Sequence, residues 1–229
     1  MEPKGKIIVL EGLDGSGKSV QHKLLLEKLT LLGKKVASAD FPDYDSFYGK
    51  LVARYLNGEF GDVMEVSPYI SSLLYAEDRK DSATKLWNWL NNGYIILVNR
   101  YASANMAYHS VKLPPDKRAE FVEWVKQLEY ETHSAIPRED LVIFFNSDVA
   151  VAQSMVDRKE ARSYTTHQRD IHERNSGYLS EVAQMYLQLC ESEPHWVRLH
   201  VIDQANGNMY PPEQIHERVI AVLQKRHLL

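Results

Sequence analysis

The sequence predicts an α/β domain of three layers, a five-stranded parallel sheet with helices on both faces. Two observations carry this. Five short runs are rich in apolar residues, three of them (Ile7–Leu10, Ile95–Val98 and Leu141–Phe145) apolar throughout, and strands without a polar face belong between two layers of helices. Longer segments with helical periodicity separate these runs, and strict alternation of strand and helix is the pattern of a doubly wound fold.

The strands are expected at Ile7–Leu10, Val36–Asp40, Ile95–Val98, Leu141–Phe145 and Val197–Ile202. The first helix covers Lys18–Leu32, where Leu25, Leu29 and Leu32 recur at i, i+4 and i+7 and Gly33 stands at the C-terminal cap. Further helices are expected near 47–57, 68–91, 115–134, 148–158, 172–191 and 212–226. Segments 41–67 and 157–170 fit the alternation least and are expected as excursions from the core. No repeat, low-complexity tract or linker divides the chain, so residues 1–229 are expected to form one domain.

Composition narrows the function classes. Of 229 residues, 44% are hydrophobic and 25% charged, which excludes a disordered, collagen-like or coiled-coil chain. With 27 Lys and Arg against 31 Asp and Glu, the net charge is −4. That sign argues against binding long nucleic acid but leaves room for a small phosphorylated ligand in a local basic pocket. Cys190 is the only cysteine, so an intramolecular disulfide is excluded and a reducing compartment fits. The first apolar run, Ile7–Leu10, is shorter than the about 7–15 residues of a signal peptide, and no window approaches the ~18 apolar residues of a membrane span. A soluble, cytoplasmic protein that does not engage membranes is expected.

The most specific motif is Gly12-Leu13-Asp14-Gly15-Ser16-Gly17-Lys18-Ser19. It matches G-x-x-x-x-G-K-[ST] between a strand and a helix, the setting of a P-loop and hence of a P-loop NTPase fold. Its glycines let successive backbone N–H groups turn toward phosphate oxygens, and the following helix adds the positive end of its dipole. Lys18 is expected at the β- and γ-phosphates and Ser19 at Mg²⁺. The motif implies a nucleoside triphosphate without saying what receives the phosphate.

Four other places bear on the second ligand. Strand two runs into Phe41-Pro42-Asp43-Tyr44, a stiff wall beyond a strand's carboxyl end or a simple turn with Phe41 in the core. Strand three runs into Asn99-Arg100, where many P-loop proteins carry a carboxylate that serves the metal. Arg100 suits a phosphate clamp, a surface ion pair being the plainer alternative. Tyr75 and Arg79 are i, i+4 on one helix with Asp78 between them; that face either holds a nucleobase or is an ordinary amphipathic face. Segment 157–170, with Arg158, Lys159, Arg162 and Arg169, reads as a cationic lid or as a charged surface loop.

Together these segments resemble the thymidylate kinase family. E-G-L-D-G-S-G-K-S (residues 11–19) is similar to its P-loop, F-P-D-Y (41–44) to its F-P-x-Y segment, and L-Y-A-E-D-R (74–79) to its base-contacting helix. N-R-Y-A-S-A-N-M-A-Y (99–108) resembles its D-R-Y segment and R-D-I-H-E (169–173) the end of its lid. The resemblance runs from residue 6 to about 204.

It implies ATP-dependent phosphorylation of dTMP to dTDP with Mg²⁺, in a homodimer. An acceptor-binding excursion would span about 41–80 and a lid about 157–170. Gly12, Asp14, Gly15, Ser16, Gly17, Lys18, Ser19 and Val20 would line the ATP site, with Arg158 on adenine and Ala205 in the adenine loop. Asp14 would face the sugar and metal region, Tyr44 would line the acceptor phosphate and metal region, Arg100 would bind phosphate oxygens between donor and acceptor, and Phe41 and Pro42 would belong to the dTMP site. Tyr75 would stack on thymine, Arg79 and Asn105 would read its edge, Tyr108 would lie under the deoxyribose, and Asp170 with Glu173 would lie near the sugar. Lys18, Arg100 and Arg162 would be catalytic, and Ser19 with Asp14 would hold the metal. Asn99 departs from the family's aspartate, and Ala104 stands where many members have serine. Another nucleoside monophosphate kinase, a deoxynucleoside kinase, or a nucleotide-binding homologue with weak catalysis because of Asn99 are the alternatives.

Overall fold

A computed structural model of the chain describes residues 4–133, 135–158, 170–173 and 175–229. Five parallel strands, β1 (Lys6–Glu11), β2 (Val36–Asp40), β3 (Ile95–Asn99), β4 (Leu141–Asn146) and β5 (Trp196–His200), form one sheet in the order β2-β3-β1-β4-β5. The helices are α1 (Lys18–Leu31), α2 (Phe47–Leu56), α3 (Pro68–Asn91), α4 (Ala102–Ser110), α5 (Pro115–Lys126), α6 (Val149–Asp157), α7 (Ser176–Ser192) and α8 (Pro212–Lys225). The predicted three-layer class holds.

The pleat of the central strands explains the layers. Ile7 and Val9 of β1 join Val142 and Phe144 of β4 in one core, packed with residues of α2 to α5 and α7. Ile8 and Leu10 join Ile143 and Phe145 in a second core under α1 and α8. Alternate residues thus face opposite layers, and all eight side chains are buried. α1 presents Leu25 and Leu29 to the second core but leaves Leu32 exposed.

The differences from expectation are local. The segment expected as one helix over 115–134 is α5 followed by a π-helical turn, Gln127–Thr132. α7 starts at Ser176 instead of 172, because Asp170 and Glu173 bond to each other's backbone: Asp170 Oδ1 accepts from the Glu173 amide at 3.0 Å and Glu173 Oε2 from the Asp170 amide at 3.2 Å. β5 ends at His200, and Ile202 pairs instead with Met209 across a tight turn. α4 follows β3 after two residues and lies on no expected element.

This topology gathers the carboxyl ends of β1, β2 and β3, which carry Glu11, Asp40 and Asn99. Leu10 and Asp40 both stand opposite Asn99 in the register. The site is built on that edge.

Candidate active site

Beyond β1 the chain curls through the predicted glycine loop. Gly15 has φ +84°, and a Cβ there would lie 2.0 Å from the carbonyl oxygen of Ala152 in α6. Only glycine combines that backbone with so close an approach. Lys18 Nζ donates to the carbonyls of Gly12 (2.9 Å) and Leu13 (2.8 Å), bracing the loop. α1 starts on Gly17, which offers no side chain to cap it, and the Ser16 hydroxyl is buried without a hydrogen-bond partner among the described residues. An uncapped helix N-terminus beside an unmatched hydroxyl is the environment that an anionic phosphate completes.

Glu11 ties this loop to the segment after β3. Its buried carboxylate accepts from the Tyr101 amide (2.8 Å) and the Ser103 hydroxyl (2.7 Å) on Oε1, and from the Tyr186 hydroxyl (2.7 Å) on Oε2. Between Asn99 and Tyr101, Arg100 takes φ +62°, a strained backbone for a residue with a Cβ, worth roughly 1–2 kcal/mol. Its guanidinium lies 2.9 Å from Asp14 Oδ2, donates to the Tyr108 hydroxyl at 3.2 Å and sits 5.0 Å from that ring's centre. Desolvation works against its charge, but Asp14 outweighs it and holds Arg100 well above the ordinary arginine value.

A cleft of about 530 Å³ opens over these strand ends. Of the residues expected around the acceptor, Asp14, Phe41, Pro42, Tyr44, Tyr75, Arg79, Arg100, Asn105, Tyr108 and Asp170 line it, together with Ser19 and Ala104, while Glu173 does not. Phe41 satisfies both of its readings, being in the core and on the cleft wall at once. Glu173 is buried with its carboxylate on the Asp170 amide. Asp78 holds the wall in place, accepting from the Asp43 amide (2.9 Å) and the Ser46 hydroxyl (2.7 Å).

Arg79 is set differently from a free edge-reading donor. It forms a bidentate ion pair with Glu129, through Nε at 3.0 Å and through Nη2. The side chains are 2% and 0% exposed. Desolvation opposes the charge, yet Glu129 keeps the arginine above its usual value. Asn105 Nδ2 donates to the same Glu129 (2.9 Å) and to the Ser72 carbonyl (3.1 Å), and its buried Oδ1 has no partner among the described residues. The π-helical turn presents Glu129 inward, a common use of such turns at functional sites. Sequence reasoning passed over Glu129, because its partner lies fifty residues away.

Two histidines were also missed. His172 stacks on Tyr108 (5.3 Å, 26°) and meets the Tyr55 hydroxyl at 3.1 Å; His109 meets the Ser71 hydroxyl at 3.1 Å. Both line the cleft. Burial, reinforced by the Lys112 charge, pushes His172 down to about 3 and His109 well below its ordinary value, so both are neutral. Lys112 itself is lowered by burial to about 8.

On the other side of the P-loop, Ala205 sits in a turn fixed by Asp203, whose Oδ1 accepts from the Ala205 amide at 3.0 Å. Met209, after that turn, reaches 3.8 Å from where a Cβ on Gly17 would stand. Val20 is exposed at the start of α1. Arg158 caps the end of α6. Arg162, Lys159 and Arg169, with most of the expected lid, lie outside the described residues. Among the described residues no group of three His, Cys, Asp or Glu side chains gathers for a metal ion. A cation held by phosphates and one or two protein ligands, the habit of Mg²⁺, fits that donor set.

A glycine loop of P-loop sequence at the end of β1, with an aromatic-walled cleft across the same strand ends, fits a class, the P-loop phosphotransferases. The family model described as thymidylate kinase matches residues 10–209. The chain belongs to the thymidylate kinase family. It is 32% identical over 149 residues to the thymidylate kinase of Schizosaccharomyces pombe, covering 65% of this chain and 64% of that protein. It is 27% identical to that of Mycobacterium tuberculosis over 80% of this chain and 85% of the relative. It is 29% identical to a probable thymidylate kinase of Pyrococcus abyssi over 99% and 98%. The solved structure of a thymidylate kinase from Candida albicans shares the fold, with TM-score 0.75 at 21% identity, covering 99% of this chain and 94% of that one.

Proposed function

We propose that this chain transfers the γ-phosphoryl group of ATP to dTMP. A phosphate oxygen of dTMP forms the new bond to phosphorus, the bond to the β–γ bridging oxygen breaks, and dTDP and ADP leave. The observation that carries the reading is the place of Arg100, which stands between the P-loop aspartate and the aromatic cleft in a chain of this family.

Phosphoryl transfer asks for positioning and charge neutralisation more than for a covalent nucleophile. Lys18 would exchange its carbonyl partners for β- and γ-phosphate oxygens, aided by the amides of Gly12 to Ser19. Arg100 would turn from Asp14 to oxygens shared by donor and acceptor, and its planar fork suits that exchange. Tyr75 would stack on thymine, with Arg79, oriented by Glu129, and Asn105 at the base edge. Tyr108 would support the deoxyribose, Asp170 would lie near the sugar, and Phe41, Pro42 and Tyr44 would wall the acceptor phosphate. Arg158 and Ala205 would flank adenine, and Arg162 would supply lid charge. Mg²⁺, held by Ser19 with Asp14 nearby, would neutralise the phosphates as the bond to the leaving group breaks.

The same reading takes the chain as one domain, with an acceptor-binding excursion at about 41–80 and a lid at about 157–170. It makes the chain a cytoplasmic enzyme of nucleotide synthesis, in keeping with the lack of any described helix long and apolar enough to cross a membrane. A homodimer would cover Phe47, Met64 and Ile70, which are exposed on or near α2 and α3. The deciding experiment follows ADP release with dTMP, dUMP, UMP, dCMP and thymidine in turn. dTMP should react fastest. Faster reaction with thymidine would overturn the acceptor assignment, and binding of both nucleotides without dTDP would favour a non-catalytic homologue.

A further inference from the structure

P-loop proteins that transfer phosphoryl groups usually place a carboxylate at the end of the strand beside the P-loop strand, where it serves the metal that travels with the triphosphate. In this chain that position is Asn99, an amide without charge. A carboxylate nevertheless stands at the same edge. Asp40 ends β2 opposite Asn99 in the register, and Asn99 Nδ2 donates to its Oδ1 at 3.0 Å. Asp40 and Asn99 line the same cleft as Ser19 and Asp14, and the Asp40 side chain is open to it.

We propose that Asp40 is the carboxylate of the metal side of the nucleotide site, moved one strand outward, with Asn99 as the residue that orients it. The proposal rests on the reading that a triphosphate and its cation occupy the P-loop. Three observations point to Asp40 and not to Asp14 for this duty. Asp14 is balanced by Arg100 at 2.9 Å and by Lys18 at 4.0 Å. Asp40 is held by an amide and forms no ion pair within 4.0 Å among the described residues, so His22, Arg100 and Lys18 act on its charge only from longer range. Asn99 Oδ1 is buried without a hydrogen-bond partner among the described residues, on a residue only 8% exposed, so this edge lacks a donor of the kind that water around a cation supplies. Hydrated Mg²⁺ is ordinarily held through one or two carboxylates and substrate phosphates.

The test reads metal binding directly. Mn²⁺ is titrated into the ADP-bound protein and free Mn²⁺ is followed by electron paramagnetic resonance, for the wild type, D40N and the exchange variant D40N/N99D. ADP affinity in EDTA is measured alongside. D40N should weaken Mn²⁺ binding by about tenfold or more, the usual scale for groups that support a metal site. The exchange variant should recover binding to within about threefold, a residue of well under 1 kcal/mol, and ADP affinity in EDTA should not move. Wild-type Mn²⁺ affinity in D40N overturns the proposal, as does an equal loss of ADP affinity in EDTA, which would mark the pair as a structural clasp. If D40N does not fold, D40E replaces it, keeping the charge but displacing the carboxylate: weakened Mn²⁺ binding with unchanged ADP affinity in EDTA supports the assignment, and wild-type Mn²⁺ binding overturns it. No acceptor enters the assay, so failure to phosphorylate dTMP would refute the proposed reaction without touching this result.

Discussion

Replacing Glu129 by alanine should harm this protein more than any replacement on its surface. Glu129 is the buried counter-ion of Arg79 and the acceptor for Asn105. Its removal strands a guanidinium whose side chain is 2% exposed and cancels three hydrogen bonds. Breaking a buried pair from one side costs about 3–5 kcal/mol, because the remaining charge stays desolvated. For a chain of this size, each kcal/mol moves the melting temperature by about 2–4 °C, so Glu129→Ala should melt about 6–20 °C below the wild type. The double variant Arg79→Met, Glu129→Leu removes both charges and should recover most of that loss. Scanning calorimetry measures both. A shift of under about 2 °C for Glu129→Ala, or a double variant no more stable than the single, would refute the claim that this pair is desolvated and mutually dependent. The KM for dTMP gives an independent reading. It should rise in Arg79→Ala, which loses a charge-assisted contact worth about 1.5–3 kcal/mol, and an unchanged KM would remove Arg79 from the base pocket.

Other perturbations have defined outcomes. Arg100→Lys keeps the charge but not the planar fork, so kcat should fall by about 10²–10³-fold while the melting temperature moves by no more than about 4 °C; steady-state kinetics and calorimetry separate the two. Gly15→Ala places a Cβ 2.0 Å from a backbone oxygen at φ +84°, so the loop must shift, and kcat in steady-state kinetics should drop by about 10²-fold, the scale on which a 1 Å misplacement slows a reaction. His109 and His172 stay neutral in the fold at pH values where the unfolded chain protonates them, so stability is full above about pH 6.5 and declines as pH falls toward their lowered values. Between pH 7.5 and 5.5 the loss should be about 2–3 kcal/mol for the two together, read from urea midpoints, and His172→Phe should roughly halve it.

The sheet and the P-loop were legible because their signals are local. An Ile- and Val-rich run between turns needs both faces covered wherever it sits, and a glycine loop carries its phosphate logic in eight consecutive residues. α4 was not legible for the opposite reason. Its residues Ala102–Ser110 are buried almost all round, so no polar face marks a period, and its small side chains carry little hydrophobic signal. Resemblance placed Tyr75, Arg79, Asn105 and Tyr108 on one cleft, and the fold brings them there. What neither resemblance nor periodicity supplied was the supporting cast. Glu129 meets Arg79, Asp78 holds the loop at Asp43, and Asp40 meets Asn99 only once strands and helices distant in the chain are packed together.

Glu11 shows what such dependence means for a chain as it is being made. Its three partners lie 90, 92 and 175 residues further along. While a ribosome is still adding the last quarter of the polypeptide, the carboxylate behind the glycine loop lacks both the hydroxyl of Tyr186 and the cover of the helix that carries it. The phosphate cradle, written in the first twenty residues, therefore reaches its final rigidity late, after α7 has docked. A nascent fragment that ends before residue 186 carries the complete motif and an unfinished foundation.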